Sequence, residues 1–160
     1  MAWGNGTKSS WNDKFRQPCE DELRAGLSKP LQLVFDDARQ RLIQLEPGSE
    51  TLVWQGVPWR WTFVYATDGG AESRAFAYVI PDPARLQICV PLSNEIVERL
   101  PLKRMKKSIR DGVVFARHVA GVSWPTWDIP TKGALDEVFE LIARKHAMIS
   151  GVESGATVGG

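Results

Sequence analysis

The absences in this chain narrow its class first. No stretch approaches the ~20 consecutive apolar residues that a membrane span requires, so no membrane partner is expected. There are only two cysteines, Cys19 and Cys89. They form no C-x-x-C pair, which excludes a zinc knuckle and a thioredoxin-like motif. A disulfide between them stays open; the plain reading is two reduced thiols in a cytoplasmic protein. His118 and His146 are the only histidines, and with scattered acids they make a poor metal-ligand set. Neither a metal nor a cofactor is expected. The Gly-rich phosphate loops are missing, and Gly121-Val122-Ser123-Trp124 does not complete a nucleophile elbow. The formal net charge of +1 gives no overall pull toward nucleic acid or a membrane surface.

What is present describes an ordinary folded domain. The chain has 160 residues, 43% hydrophobic and 24% charged, enough to bury a core without staples. Residues 1–16 carry Trp3, Trp11 and Phe15 among Gly, Asn, Ser and Lys. They lack an apolar run and read as an irregular leader rather than a secretory signal. Residues 17–149 read as one domain, and 150–160, rich in Gly and Ser, as a flexible tail.

Pro18 to Gly26 reads as a short helix with Glu20, Asp21 and Glu22 in its first turn. A longer helix starts from Ser28 as N-cap, with the stripe Leu31, Phe35, Ala38, Leu42 and Leu45, and stops at Glu46-Pro47-Gly48. A run of strands follows: Thr51–Trp54, Trp59–Ala66, Arg74–Ile80 and Arg85–Val90. The breaks are Gly56-Val57-Pro58, Asp68-Gly69-Gly70 and Pro81-Asp82-Pro83. Ser93 caps a helix to Leu100, and a second helix is expected from Pro101 to Asp111, closed by Gly112. Val113–Val119 reads as a strand, and Gly121–Pro130 as a loop or short edge strand interrupted by Pro125. A last helix runs from the Thr131 cap to about Ile149, with the stripe Leu135, Val138, Phe139, Ile142, His146 and Ile149. Segregated helices and strands define an α+β fold, with an antiparallel meander of about four to six strands and helices packed on it.

Chemistry is sought first among the aromatics. In an alternating strand Trp59, Trp61, Phe63 and Tyr65 share one face. The next strand is apolar on both faces, so the sheet needs two covers. Helices supply one; the other is the Trp124/Trp127 loop, a partner or a ligand. The candidate ligand-binding set is therefore Trp54, Trp59, Trp61, Tyr65, Trp124 and Trp127, and the alternative is that these rings are core. A second candidate is basic: Lys103, Arg104, Lys106, Lys107 and Arg110 on one side of the 101–111 helix. It would meet phosphates or an acidic partner, or it is a solvated face. No GXXG loop, RNP signature or zinc finger accompanies it. A third is His118 as general base with a carboxylate such as Asp128.

The order helix, Leu52-x-Trp54, Gly56-x-Pro58-Trp59, meander, helical pair, short strand and C-terminal helix resembles the YdhG-like group of small bacterial α+β domains of unknown function, over about residues 28–149. The resemblance implies the fold more than the function. Some members are considered frataxin-like iron chaperones, which need an acidic ridge. Glu46, Glu50 and Asp68 do not form one, and iron handling is not carried over. The reading places a non-catalytic binding or interaction module on the aromatic face first, for a small molecule or a protein. Nucleic-acid or acidic-partner binding through residues 101–111 comes second, and a small hydrolase-like enzyme using His118 third. The chain is expected to be a monomer or homodimer.

Overall fold

The computed structural model describes residues 9–67 and 74–150. The expected Asp68-Gly69-Gly70 turn, residues 1–8 of the leader and residues 151–160 of the tail lie outside them. Five helices, α1 (Glu20–Ala25), α2 (Lys29–Leu45), α3 (Asn94–Arg99), α4 (Lys107–Val114) and α5 (Lys132–Ile149), accompany eight strands among the described residues. The strands are β1 (Glu50–Trp54), β2 (Trp61–Ala66), β3 (Ala75–Asp82), β4 (Arg85–Cys89), β5 (Leu92–Ser93), β6 (His118–Val119), β7 (Val122–Ser123) and β8 (Thr126–Asp128). The large sheet is antiparallel in the order β1-β2-β3-β4-β8, and a small sheet has the order β5-β7-β6. The fold is α+β with an open antiparallel meander.

Local chemistry sets the helix starts. Ser28, Ser93 and Thr131 each accept a hydrogen bond from the backbone N–H three residues on, from Leu31, Ile96 and Ala134. Each satisfies one donor that the first turn leaves without a partner.

Every residue of β2, and every residue of β3 but Asp82, is buried. In register, Phe63 and Tyr65 of β2 face Val79 and Ala77 of β3 on one side, and Val64 faces Tyr78 on the other. Helix α2 covers the first side, with Phe35 edge-on to Phe63 at 5.6 Å between ring centroids. Arg39 of α2 binds Glu50 of β1 through Nε and Nη2 at 2.8 and 2.7 Å, and also Glu20 of α1. The Tyr65 hydroxyl donates to the same Glu50 carboxylate at 2.6 Å. The Arg39 guanidinium lies over the Phe35 and Phe63 rings. Helix α5 lies beside α2, where Arg41 pairs with Asp136 at 2.7 Å and His146 with Glu46 at 2.7 Å.

Three elements differ from their sequence expectation. The 101–111 helix is instead a 3-10 turn (Leu102–Arg104) and then α4, because Met105 and Lys106 are extended (ψ 165° and 146°). Gly112 does not end a helix; it lies inside α4, where an added Cβ would stand 2.5 Å from Trp127 Cε2. Glycine admits the indole, whose Nε1 donates to Ser108 O at 3.1 Å. The expected Val113–Val119 strand is the end of α4 followed by a β6–β7 hairpin. Its two turn residues, Ala120 and Gly121, both have positive φ (51° and 78°), the backbone of a two-residue primed turn.

Two outcomes follow. Gly112→Ala gains up to about 1 kcal/mol of helix propensity, but must displace a hydrogen-bonded indole, an overpacking cost of about 1–3 kcal/mol. The variant should be less stable than the parent, by up to about 2 kcal/mol, in urea unfolding; greater stability would mean the indole moves freely. Glu50→Ala strips a half-buried guanidinium and a buried hydroxyl of their shared acceptor. It should lose about 3 kcal/mol, and Tyr65→Phe about half of that, in the same assay.

Candidate functional site

The six aromatic candidates do not converge on one surface. Tyr65 is fully buried and held by Glu50, and its hydroxyl is pushed well above its ordinary pKa, first by burial and then by that carboxylate. It is a core residue. Trp54 and Trp61 stack edge to face at 5.7 Å, with Trp61 Nε1 donating to Asp13 O at 2.7 Å. Trp127 is docked on α4. Trp59 parts from the strand it was expected to begin. Arg60 has φ 59°, which breaks the alternation, and β2 starts only at Trp61. Trp59 therefore leaves the Trp61, Phe63, Tyr65 side and lies against Tyr78, at 5.1 Å between centroids.

Trp124 completes a cluster of three rings, 6.3 Å from Trp59 and 6.1 Å from Tyr78. The backbone N–H of Trp124 donates to Arg117 O at 2.8 Å, which ties it to the start of the β6–β7 hairpin. Two cavities meet at Trp124. The outer cleft, of about 510 Å³, is lined by Gln55, Val57, Pro58, Trp59, Arg117, Val119, Trp124 and Thr126. Val57 is 74% exposed and Val119 49% at its rim. Arg117 is exposed, and no carboxylate lines the cleft. The inner cavity, of about 500 Å³, has Tyr78, Pro91, Ile96 and Trp124 as apolar walls, and Arg74, Ser93 and Lys145 as polar ones. Both volumes suit a small organic molecule.

Lys145 is the residue that sequence reasoning passed over. It is only 5% exposed, and its Nζ donates to Ala75 O at 2.9 Å and to Pro91 O. These carbonyls lie at the start of β3 and just after β4. Burial pushes the ammonium down to about 7, with a nearby Cys89 acting weakly the other way. The Cys89 thiol is itself pushed up to about 12 by burial, which makes it a poor nucleophile. The signal for Lys145 was in the periodicity: 135, 138, 142, 145 continues the steps of three and four along α5, so position 145 belongs to the buried stripe whatever its charge.

The other candidates are dispersed. Lys103 and Arg104 sit on the 3-10 turn, Lys106 precedes α4, and Lys107 and Arg110 lie on it. Lys107 is already paired with Asp111 at 2.6 Å. They do not form the single helical face expected of them. His118 is exposed and shares a 3.3 Å hydrogen bond with Ser123 across the β6–β7 hairpin, a neighbour the sequence reading did not find. Asp128 accepts from Gln87 in the other sheet at 3.0 Å, so it is not the partner of His118. Both cysteines are free, Cys19 exposed and Cys89 buried. Among the described residues no three His, Cys, Asp or Glu side chains gather to hold a metal ion, and no helix is long and apolar enough to cross a membrane.

No protein-family model, no curated protein and no solved structure matches the chain.

Lys145 makes stability depend on pH in a known direction. Its folded pKa lies below the unfolded value of 10.5. The unfolded chain therefore holds more protons between those values, and stability rises with pH there, by at most about 1.4 kcal/mol per unit. Cys89 opposes this above about pH 9, where an unfolded thiol ionises. Urea unfolding between pH 7 and 8.5 should give a rising stability for the parent and a flatter one for Lys145→Met; equal slopes would mean that Lys145 titrates as a free lysine.

Proposed function

We propose that the protein is a non-catalytic binding module whose site is the outer cleft beside Trp59 and Trp124. The single observation that carries the reading is that two half-buried indoles, Trp59 and Trp124, line one cavity of about 510 Å³ together with the exposed Val57 and Val119. Rings of this kind supply large contact area with few rotatable bonds, so binding orders little. Val57, Pro58 and Val119 extend the apolar wall, and Arg117 is the cation at its mouth. That chemistry fits a small molecule with a flat apolar body and an anionic group. The Arg117 guanidinium would bind a carboxylate or sulfonate through paired N–H donors. The resemblance to the YdhG-like group belongs to this same proposal and rests on element order and on Trp54, Pro58 and Trp59.

The test is a fluorescence titration with 8-anilinonaphthalene-1-sulfonate as the probe. Saturable binding is expected, weakened about tenfold by Trp59→Ala, the equivalent of about 1.4 kcal/mol. Arg117→Gln should weaken it by a similar factor, while Trp54→Ala leaves it unchanged. A parent without saturable binding, or a Trp59→Ala protein that binds as the parent does, overturns the reading.

A further inference from the structure

Lys145 is placed as few lysines are. Most bury the aliphatic stem and keep the ammonium in water; here the nitrogen itself is inside. Its two hydrogen-bond partners are both backbone carbonyls, Ala75 O and Pro91 O. A neutral amine has two N–H bonds and one lone pair. The two carbonyls use both N–H bonds, and among the described residues nothing pairs with the third position on nitrogen. The side chain lines the inner cavity of about 500 Å³, behind Trp124, with Tyr78, Ile96 and Pro91 as apolar walls. The titratable and charged groups facing it are Cys89 from β4 and, in the same cavity, Tyr78 of β3 and Arg74 just before it. Arg74 is held by Thr67 Oγ1 at 3.0 Å and Ile149 O at 2.5 Å. None of these described neighbours is a carboxylate that would hold Nζ as an ammonium.

We propose that Lys145 is a reactive amine, and that the inner cavity takes a small aldehyde or ketone with an apolar body and holds it as an imine on Nζ. The lone pair of Nζ attacks the carbonyl carbon, the C=O π bond breaks, and one proton passes from the nitrogen to the carbonyl oxygen to give a carbinolamine. Its hydroxyl takes a second proton, from solvent, and leaves as water as the nitrogen lone pair forms the C=N bond, which keeps the remaining N–H proton. Addition of water reverses every step, so no oxidant or reductant is consumed and the carbonyl compound is recovered intact. The amine must be neutral to attack, and burial keeps a large share of it so near neutral pH. The cavity lies across Trp124 from the outer cleft, so this inference stands independently of the sulfonate-binding reading.

The experiment treats the intact chain with a limited dose of benzaldehyde and sodium borohydride, then locates the reduced adduct by peptide mapping. The expected result is one benzyl group per chain, on Lys145 ahead of the other seven lysines. The labelling rate on Lys145 should level off above about pH 7. Surface lysines should keep accelerating toward pH 10. Lys145→Arg, which keeps a charge and a donor but offers no competent nucleophile, should lose that adduct while the surface lysines react as before. Adducts spread over surface lysines with Lys145 untouched in the folded chain would overturn the proposal. So would a Lys145 rate that climbs through pH 9 like the others. Both of those readings come from the parent protein, so they hold even if the variant does not fold.

Discussion

The two central strands have no face left for water, and the rest of the molecule is arranged around that constraint. A strand buried on both sides must be covered twice, and every backbone group along it must be paired within the sheet. β2 and β3 find their partners in β1 and β4, so the meander is complete before any cover is added. On one side the cover is α2, fixed by more than apolar contact. Arg39 reaches across to Glu50 and lies over Phe63, and Tyr65 fills another lone pair of the same carboxylate. This trio joins helix, edge strand and central strand. Its geometry is bidentate and its charges are mostly withdrawn from solvent, the conditions under which an ion pair resists screening.

Around Tyr78 the cover is shared between rings carried by loops and the C-terminal part of α5, whose Lys145 and Ile149 line the same cavity. Trp59 and Trp124 come to Tyr78 from the turn before β2 and the segment after β7. A helix presents a continuous ridge that fills a groove; two indoles from separate loops meet edge to face and leave space on both sides of the contact. The outer cleft and the inner cavity are those spaces, with Trp124 common to both. Both spaces thus lie where loop-borne rings supply part of the cover.

The sequence is most readable where one physical rule acts alone. The three serine and threonine caps, the long stripe of α2 and the alternation of β4 each report a single demand, and the structure has each element close to where that demand puts it. Reading fails where two arrangements satisfy the same pattern. Leu102, Met105, Ile109 and Val113 share one side whether residues 101–111 form one helix or a 3-10 turn followed by α4. The periodicity could not distinguish them, and the basic side chains scattered with the break. Trp59 looked like the first residue of a strand because nothing in the alternation marks Arg60 as left-handed. Gly112 looked like a helix stop, since a glycine that makes room for an indole from a distant strand is indistinguishable locally from one that ends a helix.

Lys145 shows the same ambiguity in its sharpest form, since its position says core and its charge says surface. A leucine or methionine would continue the α5 stripe without desolvating an amine, and each unit by which burial lowers a lysine pKa corresponds to about 1.4 kcal/mol. The carbonyl acceptors return part of this, because Ala75 O and Pro91 O would otherwise face an apolar side chain. They do not account for the absence of a carboxylate among the described neighbours, because a paired lysine would donate to the same carbonyls at lower cost. Purely structural use of Lys145 asks only for donors. An amine that burial keeps in large part neutral near pH 7, that has no third partner among the described residues and that belongs to a side chain lining a cavity has more than that use requires, and the excess is what carbonyl chemistry needs.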